Sequence, residues 1–386
     1  MIYLDNNSTT PIHPKVKEII KDTLDYYSNP SSLYVSSRIV REKINNARNE
    51  IATFLNCKPS EIIFTSCGSE SNNTILKGVV NSYFKDENRN KVHIITSIIE
   101  HPSVINTLKY LESENIEVTY LNVDKNGIID IEELKKSIKK ETILISIMFA
   151  NNEIGTIEPI EDISKIAIEN NILFHTDAVQ AIGKVDIDLQ KIGVDYLSLS
   201  GHKIYAPKGV GVIFKREGSR PIYSLINGGH QENGERAGTE NVIGIVALGE
   251  AFRMLKLEMK DEIKRLKELR DLLESEIVKN IPDIKINGHP TMRLPGTLNV
   301  SFKKIEGESI LLRLDLNGIA VSTGSACSSG SLDPSPVIMA LGVPPEIAHS
   351  SIRFSLGREN TKEEILKAVE VLKENVEFLR VMSPIK

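Results

Sequence analysis

The chain has 386 residues, 40% of them hydrophobic and 26% charged, which is ordinary for a soluble enzyme of about two domains. Its formal net charge of −5 offers no broad basic surface for nucleic acid. No stretch approaches the roughly 18 consecutive apolar residues of a membrane span, and the opening MIYLDNNSTTP lacks the basic region and apolar run of a secretory signal, so a cytoplasmic protein is expected.

In chain order, Glu61–Ser66 predicts a buried strand, followed by a Gly/Ser turn and a helix from about Glu70. Lys91–Ser97 is the next strand, and Pro102 opens the next helix, as a first helical residue should. Glu117–Leu121, Thr142–Met148, Ile172–Asp177 and Asp195–Ser200 repeat the pattern, each short and rich in Ile, Leu or Val. Such alternation with helices implies a mainly parallel sheet covered on both faces. Gly209–Lys215 follows after a short loop, as an antiparallel member of that sheet. From Val242 to Asn280 one long charged helix is expected, then a smaller α+β region with strands near Thr297–Phe302 and Ile352–Ser355. The last helix opens with Thr361 and Glu364 at capping-box spacing. Asp124–Asp130 has its Gly at the wrong place for a calcium loop and reads as a turn.

Ligands gather at the C-terminal ends of strands in open α/β sheets. After the first strand, Gly68 and Ser69 let backbone approach an anion at a helix start, although a plain helix cap by Ser69 reads equally well. His101 could stack on a flat ring or move protons, or simply precede a helix at the surface. Asn151 and Asn152 could contact a ring hydroxyl or only shape a turn. Asp177 closes a buried strand, where a lone carboxylate is costly and a protonated pyridine nitrogen would balance it. His175 and Asp177 also raise a metal, but no third ligand lies near in sequence, so none is expected. Lys203 follows Ser200 and His202 at another strand end, where poor solvation lowers a lysine's pKa and suits it to Schiff-base chemistry. Together these are the parts that pyridoxal 5′-phosphate (PLP) requires.

The chain has three cysteines and no CxxC pair, so neither a disulfide framework nor structural zinc is expected. Cys57 and Cys67 read as structural. Cys327 lies in STGSACSSGS, where nearly every residue is small, and reads as a reactive thiol on a mobile loop. Arg353 lies within an apolar strand and suits a substrate carboxylate or a salt bridge between domains.

SGHK at Lys203, DAVQ at Asp177–Gln180, EHPS at His101, NNEIG at Asn151–Gly155 and STGSACSSG around Cys327 jointly resemble the NifS/IscS group of cysteine desulfurases. The likeness runs from Tyr3 to Arg358. It implies a homodimer of PLP-dependent transferase fold type I. The large domain (15–255) would hold a mainly parallel seven-stranded sheet between helices; 1–14 and 256–386 would form the small domain with the Cys327 loop. It implies covalent cofactor attachment at Lys203, stacking by His101, pairing of Asp177 with the ring nitrogen and of Gln180 with the ring oxygen. Gly68, Ser69, Ser200 and His202 would hold the phosphate, Thr239 reaching it from the other subunit. Asn152 and Arg353 would meet the substrate, L-cysteine. Its sulfur would pass to Cys327 as a persulfide, leaving alanine, and onward to a sulfur-acceptor or iron–sulfur scaffold protein, or to tRNA thiolation. One departure is visible: Asn233 stands where many relatives have Arg. Selenocysteine cleavage or another class V reaction is the nearest rival, and a non-catalytic sulfur carrier the next. Without a GxGxxG after an early strand, a nicotinamide enzyme is disfavoured.

Overall fold

A computed structural model describes residues 1–87, 91–114, 116–323 and 333–383. Twelve strands occur among them: β1 (Ile2–Tyr3), β2 (Ile62–Thr65), β3 (His93–Ser97), β4 (Glu117–Leu121), β5 (Thr142–Ser146), β6 (Leu173–Asp177), β7 (Tyr196–Ser200), β8 (Gly211–Lys215), β9 (Ile284–Asn287), β10 (Thr297–Phe302), β11 (Ile319–Ala320) and β12 (Ser351–Ser355). Seven form the central sheet in the order β2-β8-β7-β6-β5-β3-β4. β8 runs antiparallel to β2 and β7, and the remaining pairs are parallel. The strands that Phe64, Ile95, Ile145, Phe174 and Leu197 belong to are buried along nearly their whole length because helices cover both sheet faces.

Crossover helices carry the chain between parallel strands. Helix Gly68–Glu87 follows β2, helix Pro102–Ser113 follows β3, and helix Ile160–Glu169 leads to β6. Pro102 sits in the first turn, and the His101 ring accepts from Ser103 N as the N-cap. As parallel neighbours, β3, β5, β6 and β7 therefore end at one edge of the sheet, and the loops beyond them meet there.

Helix Val242–Asn280 links two apolar cores. Its first half, through Ile245, Leu248, Phe252 and Leu255, joins the core under the large sheet. Its second half, through Leu266, Leu273 and Ile277, joins Leu298, Val300, Ile352 and Phe354. The latter belong to an antiparallel sheet of order β12-β10-β9. Leu4 also joins this second core, and β1 pairs with β11, so the N-terminal segment packs with the C-terminal third. Thr361 and Glu364 form the expected reciprocal capping box. Asp124 Oδ1 accepts from the N–H of Asn126 and of Ile128, which makes Asp124–Asp130 a side-chain-stabilised turn. Among the described residues, no helix is long and apolar enough to cross a membrane.

Candidate active site

A cleft of ≈ 880 Å³ opens at the C-terminal edge of the sheet. Gly68, Ser69, His101, Asn152, Asp177, Gln180, Ser200, His202, Lys203 and Arg353 all line it. They come from five separate strand ends and from β12, so no short window of sequence brings them together.

β7 ends in the short turn Gly201–Lys203, which carries the lysine to the cleft. Lys203 Nζ donates to the backbone carbonyls of Asn7 at 2.5 Å and Ser8 at 2.7 Å. The N-terminal segment thus supplies the floor beneath the lysine. Asp177 ends β6 and is 5% exposed. Its Oδ1 accepts from Val179 N at 2.9 Å and its Oδ2 from Asn72 Nδ2 at 2.7 Å. Neither partner is cationic, so this buried carboxylate retains lone pairs for a cationic N–H.

Asn72 also donates to Ser103 Oγ at 2.9 Å, and Ser103 Oγ lies 2.8 Å from His101 Nδ1. Ser103 N–H donates to the same ring nitrogen at 3.1 Å. A backbone N–H needs an acceptor, so Nδ1 is unprotonated and the neutral ring carries its hydrogen on Nε2. Burial, together with the charge of Lys203, lowers the His101 pKa against the opposing pull of Asp177. His202 is held down to about 4 by burial, then by Lys203 and Lys208, so it is neutral at pH 7.

Arg353 is 3% exposed within β12. Its Nη2 donates to Asp5 Oδ1 and Ser8 Oγ, both at 2.7 Å, and its Nη1 to the Asn152 carbonyl at 3.0 Å. Its buried Nε has no hydrogen-bond partner among the described residues. Arg353 also exchanges backbone hydrogen bonds with Ser322, one residue before Thr323 and the end of that described segment. Cys327 itself lies outside the described residues. Beyond it, Ser335 Oγ donates at 2.5 Å to Glu153 Oε2, next to Asn152. Both described flanks of the Cys327 segment therefore contact residues at or next to the cleft, Arg353 on one side and Glu153 on the other.

PLP fits this donor set on three observations. Ser200 Oγ is buried without a hydrogen-bond partner among the described residues, as a phosphate donor awaiting its acceptor would be. Gly68 opens its helix where a Cβ would come 2.7 Å from Val179 Cγ2, so a side chain there would crowd the helix N-terminus and its anion-binding N–H groups. Asp177, finally, is a buried carboxylate whose hydrogen-bond donors are a backbone N–H and an amide, neither of them cationic. Ser69, Ser200 and His202 could hold the phosphate, Asp177 the ring nitrogen, and Lys203 the aldehyde carbon.

Three placements differ in kind. Thr239 is exposed and lines a separate cleft of ≈ 440 Å³ with Ser66, Glu232 and Arg236. Asn233 adopts a left-handed backbone, φ 56°, which Asn tolerates better than Arg. The nearby cations are already paired, Arg236 to Glu70 and Arg48 to Glu232. His175 has both ring nitrogens engaged, by Ser146 and Ser198 hydroxyls, and burial pushes its pKa down to about 3. It is a core histidine, and no metal-binding cluster occurs among the described residues. Reasoning from strand ends passes over Asn7, Ser8, Asn72 and Ser103. The available signal is the density of Asn, Ser and Thr in DNNSTT ahead of any periodic element.

Comparison with known proteins is consistent with this geometry. The family model "Aminotransferase class-V" matches residues 2–367. A protein of Dictyoglomus turgidum named cysteine desulfurase IscS is 51% identical over 386 residues, covering 100% of this chain and 97% of the relative. A solved structure titled "NifS-like protein" superposes with a TM-score of 0.91 at 40% identity, over 98% of this chain and 100% of that one. Another, "SspA in complex with cysteine", gives a TM-score of 0.81 at 36% identity, over 92% of this chain and 99% of that one. The chain belongs to the class V aminotransferase family, in its NifS/IscS group of PLP-dependent cysteine desulfurases.

Proposed function

We propose that this enzyme removes sulfur from L-cysteine, releasing L-alanine and leaving a persulfide on Cys327. The observation that carries the reading is the convergence of Lys203, Asp177, His101 and Arg353 on one cleft. The cysteine complex of the SspA relative supports the substrate.

When bound, PLP supplies an electron sink that weakens the bonds at an amino acid's Cα and Cβ. Asp177 keeps the ring nitrogen protonated by offering its remaining carboxylate lone pairs. Lys203 would anchor the cofactor and, as a free amine, would accept the proton from the substrate Cα. The two backbone carbonyls that hold its Nζ aim the amine. Arg353 takes the substrate carboxylate, as a fork-shaped cation can. Its buried Nε provides a donor that Asp5 and Ser8 leave unused. His101 presents Nε2–H to the cleft and relays a proton there. The Cys327 thiolate attacks the substrate sulfur. The S–S bond forms as the C–S bond breaks, the electron pair left on Cβ takes a proton, and the proton held by Lys203 returns to Cα to give alanine.

Thr239 faces its own cleft, so the reading assigns it to a partner subunit's phosphate in a homodimer. The domain boundary is placed at residue 255, inside the long helix, with 1–14 joining the C-terminal unit. The persulfide then passes to a sulfur-acceptor or iron–sulfur scaffold protein in the cytoplasm. The purified holoenzyme, given L-cysteine and a thiol reductant, is expected to release alanine and sulfide in equal amounts. Alanine without sulfide, or neither product with PLP bound, would overturn the reading.

A further inference from the structure

Four residues beyond Gln180, a second lysine turns inward behind the cleft. Lys184 Nζ donates to Gln180 Oε1 at 2.9 Å and to Asn7 Oδ1 at 3.2 Å. Gln180 Nε2 donates to the backbone carbonyl of Asn7 at 2.9 Å. That same carbonyl accepts from Lys203 Nζ. Asn7 is thereby a hub that joins both lysines and the glutamine. Its own Nδ2 is fixed by Thr297 Oγ1 at 2.9 Å and the Asn152 carbonyl at 3.2 Å.

The chemistry of these partners dictates which way the Gln180 carboxamide points. An ammonium group only donates, and a backbone carbonyl only accepts. Oε1 must therefore face Lys184, and Nε2 must face Asn7. A flip would set Nε2 against the Lys184 ammonium and Oε1 against the Asn7 carbonyl, two repulsive contacts in a buried place. With the amide held so, the second Nε2 hydrogen remains for an acceptor in the cleft that Gln180 lines. Burial, followed by the charges of Lys203 and Arg353, presses the Lys184 pKa down to about 7. Even as an amine it retains two hydrogens, one for each of its acceptors.

We propose that Lys184 is a positioning residue: it locks the Gln180 amide so that an N–H, not a carbonyl, meets the ring oxygen of bound PLP. The inference rests on the functional reading above and adds a residue to it. A donor facing the ring oxygen favours its anionic form, whereas a carbonyl there would favour the protonated one. Losing Lys184 removes the donor that holds Oε1 and a nearby positive charge, and leaves the amide fixed by the Asn7 carbonyl alone. Both changes act in one direction, and the cofactor holds its proton more tightly.

The test is a pH titration of the visible absorption band of the holoenzyme. In Lys184→Met the midpoint should rise by about one pH unit, a tenfold gain in proton affinity. Lys184→Arg keeps a donor and a charge and should stay near wild type. Gln180→Leu should raise the midpoint similarly, and the double variant should rise no further than either single one. If Lys184→Met does not fold, Lys184→Gln replaces it, with a rise in the same direction expected. A lower melting temperature with an unmoved midpoint would mean a merely structural lysine and would overturn the proposal, as would additive shifts. These failures are separable from that of the functional reading, since wild-type alanine release from cysteine reports on the latter alone.

Discussion

Arg353 shows how a single residue is set for its work. Its guanidinium already donates to Asp5, Ser8 and the Asn152 carbonyl. A substrate carboxylate joining this network gains charge-assisted bonds worth about 1.5–3 kcal/mol each. Replacing the planar fork by a point charge loses the paired geometry. Arg353→Lys is therefore expected to raise KM for L-cysteine by roughly tenfold or more, with the smaller effect on kcat; steady-state kinetics would show it, and an unchanged KM would contradict the assignment. Cys57 differs from a reactive thiol: burial, and then the charge of Glu61, pushes its pKa up to about 12. Alkylation near neutral pH should spare it. At this scale the sequence is legible where a polar residue ends an apolar strand, as with Asp177, Ser200 and Lys203. Asn72 lies inside a helix, and Asn7 lies in a segment with no period of two or 3.6. Their contacts are made across 105 and 196 residues, to Asp177 and Lys203, and such pairings leave no local trace.

Elements with strong periodicity read well from composition alone. Helix Val242–Asn280 spans the expected residues, and Glu117–Leu121 and Thr297–Phe302 are strands with the expected bounds. The helix expected from Glu70 begins two residues earlier, at Gly68, because the turn residues themselves enter its first turn. β9 escapes such reading, since Ile284–Asn287 is only four residues long and mostly half-buried at a sheet edge. Packing between elements sets two predictions. A Cβ on Gly249 would lie 2.6 Å from the Cα of Ala47 in helix Val35–Leu55, backbone against backbone. Gly249→Val should cost about 1–3 kcal/mol, read as a lower denaturation midpoint. Glu158 ties the loop before helix Ile160–Glu169 to the Asp124–Asp130 turn by accepting from Ile129 N at 3.1 Å. Burial raises its pKa to about 8. An acid whose folded pKa lies above its unfolded value stabilises fully below about pH 4.5, and that stability fades as pH rises through the folded value, by at most ~1.4 kcal/mol per pH unit. Between pH 5 and 8, Glu158→Gln should flatten the loss of melting temperature; an unaltered slope would show that Glu158 is not protonated in the folded protein.

Across the whole molecule, two apolar cores meet along one helix, and the cleft lies where their polar edges face each other. Arg353 comes from the second core's sheet, while Lys203 and Asp177 come from the first. A substrate held by Arg353 and Lys203 would therefore bridge the two. A further apolar cluster joins Met148 and Ile154 beside the cleft to Val337 and Ile338, which follow the Cys327 segment. Tyr27 and Leu33 are strongly exposed apolar residues, 93% and 89%. Exposed apolar side chains of this kind suit a subunit contact, and sedimentation is expected to give twice the chain's 43.0 kDa. The central claim is sulfur transfer from cysteine to Cys327, and it is tested most directly by one turnover without reductant. The holoenzyme is mixed with L-cysteine, alanine is quantified, and the sulfur is located by mass spectrometry of the cleaved protein. The account predicts alanine in equal amount to a persulfide on the Cys327 peptide, with both lost in Cys327→Ser. Alanine formed at the wild-type level by Cys327→Ser, or sulfur found on Cys67 instead, would contradict it.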